Sequence, residues 1–143
     1  MRDSENRFVG IHRTFLRSDG SRKAEIEPQK ASLGKMWGAV VRLSDLEQVL
    51  ATGELVIGEG TETSASAGLL LDRPAWAAGN AGNLARAVVL PPEVRKVVIA
   101  ADRDVAGQDA ARAAWFRFRR EGRSVRIAMP NSEGTDFNDL LPR

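Results

Sequence analysis

The sequence predicts an α/β protein, with a mostly parallel central sheet flanked by helices and a small antiparallel β piece in front of it. Three observations carry this reading. From residue 54 onward, short apolar runs alternate with helix-forming stretches, the order that builds a parallel sheet with right-handed crossovers. The run Val97-Val98-Ile99-Ala100-Ala101 is apolar throughout, as a strand buried on both faces must be. In the first third, alternating residues from Phe8 to Leu16 lead into Asp19-Gly20, a hairpin turn signal.

Taken in order, residues 1–7 read as a polar lead-in. Phe8–Leu16 is a strand, and Arg22–Ile26 is its expected return strand across the Asp-Gly turn. Residues 28–34 read as a loop and Gly38–Leu43 as a short strand. Leu46–Leu50 forms one or two helical turns with Ser44 as the expected cap. Next come a strand at Leu55–Ile57, a helix over Thr61–Leu71 stopped by Asp72-Arg73-Pro74, and a strand at Ala75–Ala78. Residues 79–83 read as a loop, and Leu84–Leu90 as a helix ending at Pro91-Pro92. Lys96–Ala101 is the central strand, followed by a helix from about Gln108 to Glu121 that buries Ala111, Ala114, Trp115 and Phe118. Ser124–Met129 is the last strand, and Gly134–Leu141 a capped short helix. The expected division is a β-hairpin segment over residues 1–45 and an α/β unit over residues 46–143.

Composition excludes several chemistries. There is no cysteine, so there is no disulfide framework and no thiolate zinc site, and the single His12 rules out a histidine-rich metal centre. Tyrosine is absent as well. No run of 18 or more apolar residues and no signal segment is present, so a soluble, cytoplasmic chain with no membrane partner is expected. The net charge of +2 does not by itself call for nucleic acid. Arg112, Arg117, Arg119, Arg120, Arg123 and Arg126 crowd together, a pattern that fits phosphate binding and a solvated helix face equally.

Acidic residues fall at the carboxyl ends of predicted strands, where ligands gather in open α/β sheets. Glu59 follows the first strand of the α/β unit, flanked by Gly58 and Gly60. Asp102 and Asp104 end the central strand and, two apart in extended backbone, point the same way. Asp136 and Asp139 follow the last strand. Carboxylates held together repel unless a cation joins them, and an all-oxygen donor set suits magnesium or manganese. Each piece alone also has a plain structural use, Asp-x-Asp as a turn or cap and Asp136 as an N-cap. Arg103, between the two aspartates, points to the opposite side, where a salt bridge and a phosphate contact are both open to it.

Those residues carry a resemblance. The segments Leu55-Val56-Ile57-Gly58-Glu59-Gly60-Thr61-Glu62-Thr63, Ile99-Ala100-Ala101-Asp102-Arg103-Asp104-Val105-Ala106-Gly107 and Gly134-Thr135-Asp136-Phe137-Asn138-Asp139-Leu140-Leu141 resemble the Toprim domain. The likeness is to the phage- and plasmid-associated primase branch and covers roughly residues 30–143; Lys30-Ala31-Ser32-Leu33-Gly34 is similar to the tail of that branch's basic subdomain. The resemblance implies a Rossmann-like Toprim catalytic fold and a DNA primase-type nucleotidyltransferase that makes RNA primers for DNA replication. It implies Glu59 as general acid/base or metal-organising group, Asp102 and Asp104 as the metal pair, and Asp136, with Asp139 beside it, as the later acidic position. It further implies Mg2+ or Mn2+, a single-stranded DNA template, nucleoside triphosphates, and a replicative helicase in cis or trans.

Topoisomerases of this fold cleave DNA through a tyrosine, which this chain lacks, and Ala106 stands where their third acid falls. A metal-dependent nuclease and a non-catalytic nucleic-acid-binding module remain as alternatives. With only residues 1–53 ahead of Glu54 and no cysteine for a zinc module, the chain is expected to be a fragment of a longer primase. For nucleic-acid contact, Lys30, Lys35 and Arg73 are expected to face the metal edge. Asn80 and Asn83 could bond nucleotide or simply form the turn.

Overall fold

The computed structural model describes residues 1–142. Two sheets form. A two-stranded antiparallel ladder pairs β1 (Gly10–Thr14) with β2 (Lys30–Gly34). The main sheet has five strands in the order β3 (Val41–Arg42), β5 (Ala75–Ala77), β4 (Glu54–Gly58), β6 (Lys96–Ala100), β7 (Ser124–Ala128). β5, β4, β6 and β7 run parallel, and β3 is an antiparallel edge.

Helices complete the layers. On one face lie α1 (Leu46–Thr52), α3 (Ala81–Arg86) and α4 (Val105–Arg120), whose Val49, Leu84, Ala111, Ala114 and Phe118 pack on Leu55, Ile57, Trp76, Val97 and Ile99. On the other lie α2 (Thr61–Leu71) and a final 3-10 turn (Phe137–Leu140), with Ala67 and Phe137 against Val56, Val98, Ala75 and Ala100. Successive residues of β4 and β6 therefore feed opposite layers, which is why those strands are apolar without alternation. Each fully buried large side chain contributes about 1.5–3 kcal/mol of transfer free energy. Gly58 is required where α2 crosses β4, since a Cβ there would sit 2.7 Å from Ser64 Oγ and 3.0 Å from the Ala100 carbonyl.

Several expectations are corrected. The Asp19-Gly20 turn forms, with the Asp19 carboxylate accepting from the Ser21 N–H and a single Leu16–Lys23 bridge behind it. Residues 22–26 make no ladder, however; β1 pairs with residues 30–34, which had read as loop. Turn chemistry is local, whereas the partner is chosen by which segment covers β1. The helix after Ser44 is capped by Asp45 in a capping box with Gln48, and the Ser44 hydroxyl instead accepts from the Ala75 N–H. α3 begins and ends earlier than expected, because Asn80 caps it and the Asn83 carbonyl takes the N–H groups of both Ala87 and Val88. Trp115 is only partly buried, with its indole N–H donating to the Val125 carbonyl. Among the described residues, no helix is long and apolar enough to cross a membrane.

Candidate functional site

The strand order reverses direction between β4 and β6, since α2 leads from β4 to β5 on one side while β6 and β7 extend the other. Such a switch point opens a crevice at the carboxyl ends of the strands. Gly58 pairs with Ala100, so Glu59 and Ala101 leave the sheet side by side, with Asp102 one residue further on. The acidic residues predicted at strand ends thus meet at this crevice.

Asp102, Asp104, Asp136 and Asp139 line one cleft of about 170 Å³ together with Arg103, Gly134 and Thr135. The cleft is closed from behind by backbone: Arg103 N–H donates to the Thr135 carbonyl at 3.1 Å and Gly134 N–H to the Arg103 carbonyl at 3.0 Å. Asp104 caps α4 by accepting from the Gly107 N–H at 2.7 Å. Gly107 is needed here, because a Cβ would come within 2.9 Å of the Asp102 carbonyl. Asp136 caps the 3-10 turn by accepting from the N–H groups of Asn138 and Asp139, and the Asp139 carboxylate in turn accepts from the Asp136 N–H. Two of the predicted acids therefore also serve as caps.

Glu59 follows β4 and lies outside the lining of that cleft. Burial pushes its pKa above the usual carboxylate value, and the charges of Asp102 and Asp104 add to this, against a smaller opposing effect of the α3 start at Ala81. Asp102 is raised too, again first by burial and then by Asp136 and Asp104, against the opposing hydrogen bond from Thr63. These carboxylates thus feel one another across the crevice. Among the described residues, no three carboxylate or imidazole groups converge closely enough to enclose a metal ion alone. The donor set nonetheless fits magnesium, which keeps several waters and takes one or two carboxylates plus substrate phosphate.

A basic wall faces the acids. Lys30, at the start of β2, lies 3.3 Å from Glu62 and its charge reaches Glu59 and Asp102. Glu62 is held below the usual carboxylate value, because its own N–H and Lys30 outweigh the effect of burial. Beside it a groove of about 590 Å³ is lined by Arg22, Lys23, Glu25 and Gln29 together with Glu62, Asp136 and Asn138, and Arg22 is paired with Glu25 at 2.8 Å. Arg22 and Lys23 were missed in the sequence, where they read as a return strand. The signal available was two adjacent cations directly after an Asp-Gly turn.

The remaining expectations divide. Arg73 does not reach the acidic edge: it pairs with Glu54 at 2.8 Å, and Glu54 begins β4, so Arg73 lies at the amino edge of the sheet. The reason is topological, since a residue between a helix and the strand it feeds returns to the starting edge. Lys35 is exposed just past β2, and no ion pair or side-chain hydrogen bond joins it to the acids among the described residues. Arg103 lines the cleft while its guanidinium donates to the Pro130 carbonyl at 3.3 Å. Asn80 is exposed and caps α3, and Asn83 is buried, bonding the carbonyls of Ala39 and Ala78. The Asn83 amide is thus satisfied inside the protein, whereas Asn80 uses only its Oδ1 for the cap and leaves its amide NH2 exposed.

The arginine cluster also resolves. Arg117 donates to the carbonyls of Leu84, Ala85 and Val88, and Arg123 to those of Leu90, Pro91 and Val94, with Glu121 paired to both. Arg117 ties α4 to α3, and Arg123, between α4 and β7, holds the segment 90–94; both are structural.

Residues 54–143 match the family described as the Toprim domain. The chain belongs to the Toprim family. Residues 1–43 of this Toprim chain match a family described only as a domain of unknown function. No curated protein matches it in sequence. Among solved structures it is similar to a DNA primase domain from Pseudomonas aeruginosa, at 20% identity and a TM-score of 0.64, over 98% of this chain and 44% of that one. It is similar to the zinc-binding and RNA polymerase domains of Aquifex aeolicus primase, at 20% identity and a TM-score of 0.66, over 98% of this chain and 35% of that one. The RNA polymerase domain of Mycobacterium tuberculosis primase DnaG gives 21% identity and a TM-score of 0.63, over 97% and 48%. The Toprim chain thus shares the primase fold and spans less than half the length of these structures.

Proposed function

We propose that this chain is the metal-dependent nucleotidyltransferase module of a primase, joining nucleoside triphosphates into RNA primers on a single-stranded DNA template. The observation that carries the reading is the meeting of Glu59, Asp102, Asp104 and Asp136 at the switch point, opposite the cations Lys30, Arg22 and Lys23. One or two of Asp102, Asp104 and Asp136 at a time, completed by water and substrate phosphate, would hold Mg2+ or Mn2+, with Asp139 at the rim. When bound, such an ion neutralises charge on the attacking and leaving oxygens of an in-line displacement.

The chain's own groups supply the rest. Burial raises Glu59, which makes its carboxylate a better base for the proton of a nucleotide 3′-hydroxyl. Lys30 offsets the anionic cleft and, with Arg22 and Lys23, gives template or triphosphate phosphates a cationic wall. Proximity and charge do most of the work, because phosphoryl transfer needs reactants held in line more than it needs covalent help.

Template-directed primer synthesis by the full-length protein tests the reading. Glu59→Gln and Asp102→Asn should each abolish synthesis while leaving the circular dichroism spectrum unchanged. Normal synthesis by either variant refutes the assignment. Chelator-sensitive cleavage of labelled strands without synthesis would mark the same carboxylates as a nuclease site.

A further inference from the structure

Thr63 is the side chain through which two acids of the cleft are joined. It lies in the first turn of α2 and is 4% exposed. Its Oγ1 is 3.1 Å from Asp102 Oδ1 and 3.4 Å from Asp136 Oδ2. Asp102 follows β6 and Asp136 follows β7, so the hydroxyl spans two segments that meet only in the folded chain. Burying a hydroxyl is unfavourable unless it is bonded, and here its partners are both carboxylates. A hydroxyl carries one proton, so it serves the two acceptors in alternation or by sharing. Threonine is stiff about χ1, so the backbone of α2 dictates where Oγ1 stands. Ser66, one turn further along the helix, faces the same segment with Oγ 3.4 Å from Asn138 Oδ1, but touches no carboxylate.

We propose that Thr63 is a positioning residue: its hydroxyl holds Asp102 and Asp136 at one spacing in the metal-free protein, so that a divalent ion meets a pair already assembled. The inference rests on the metal-binding reading of the site. Without the hydroxyl, the two anions repel and separate, and metal binding must reorder them. Groups that orient metal ligands from behind typically set affinity by 10–100-fold.

The test is a calorimetric titration of the whole chain with Mn2+, comparing wild type with Thr63→Val, Thr63→Ser, Ser66→Ala and Asp102→Asn. Thr63→Val keeps the shape and removes the donor, and should weaken Mn2+ binding by about tenfold or more. Thr63→Ser restores the hydroxyl and should bind close to wild type. Ser66→Ala removes a neighbouring contact between α2 and the 3-10 turn and should leave the affinity unchanged. Wild-type affinity in Thr63→Val overturns the proposal, as does an equal loss in Ser66→Ala, which would mark general packing rather than the bridge. If Thr63→Val melts below the assay temperature, Thr63→Ala against Thr63→Ser makes the same comparison. Unchanged binding in Asp102→Asn refutes the metal site itself and takes this proposal with it, an outcome recognisable because it does not involve Thr63.

Discussion

Replacing Arg117 with methionine removes a guanidinium while keeping most of its aliphatic stem. In the folded chain that guanidinium donates to three carbonyls, Leu84 at 3.0 Å, Ala85 at 3.3 Å and Val88 at 2.8 Å, and pairs with Glu121 at 3.1 Å. The side chain is 24% exposed, so water replaces some of these bonds and not all. A bond to a charged donor contributes about 1.5–3 kcal/mol, and three such acceptors, partly rescued by water, place the loss near 3 kcal/mol. The exposed Glu121 partner adds little. For a chain of this size that loss lowers the melting temperature by roughly 6–12 °C. Urea unfolding of Arg117→Met beside wild type, followed by circular dichroism, measures it. A loss under about 1 kcal/mol, in the range of surface substitutions, would refute the claim that this arginine fastens α3 to α4. So would an unaltered fold that binds single-stranded DNA more weakly, since Arg117 would then be a phosphate contact.

Two further outcomes follow from the charges of the cleft. Glu59 and Asp102 hold protons to higher pH in the folded chain than in the unfolded one, so between the ordinary carboxylate pKa near 4 and the raised folded values the folded state binds more protons. Stability contributed by these groups is therefore present at low pH and lost as pH rises through that window; relative to wild type, Glu59→Gln should gain stability toward neutral pH in chelator, measured by melting temperature across pH 4–8. A variant that melts in parallel with wild type at every pH would show that Glu59 is not strained by its neighbours. Asp104 carries a cap as well as a charge: Asp104→Ala should cost about 1 kcal/mol through loss of its bond to the Gly107 N–H, whereas Asp104→Asn keeps the cap and should lose Mn2+ affinity alone.

Much of the architecture was legible because its signals are local. The limits of α2 at Thr61 and Leu71 follow from Gly60 and from Asp72-Arg73-Pro74, and the apolar stretches of β4, β6 and β7 read directly as strands. The N-cap at Asn80 is legible as well, since asparagine is a preferred capping residue just ahead of a helix-forming stretch. Arg73 could likewise have been placed, because a residue entering a parallel strand lies at the edge opposite the ligands. The partner of β1 could not, since five residues at 30–34 compete with five at 22–26 on packing that only the folded chain supplies.

By itself the sequence determined that four strands alternate with helices and that acids follow three of them, because periodicity and turn chemistry act over a few residues. The tertiary structure decided what those acids do together. The order β5-β4-β6-β7 sets Glu59 beside Asp102, the approach of α2 slips the Thr63 hydroxyl between Asp102 and Asp136, and the packing of α4 on α3 turns Arg117 and Arg123 inward. Each of these joins residues tens of positions apart, and hydrogen bonds of about 3 Å depend on distances that no local pattern encodes.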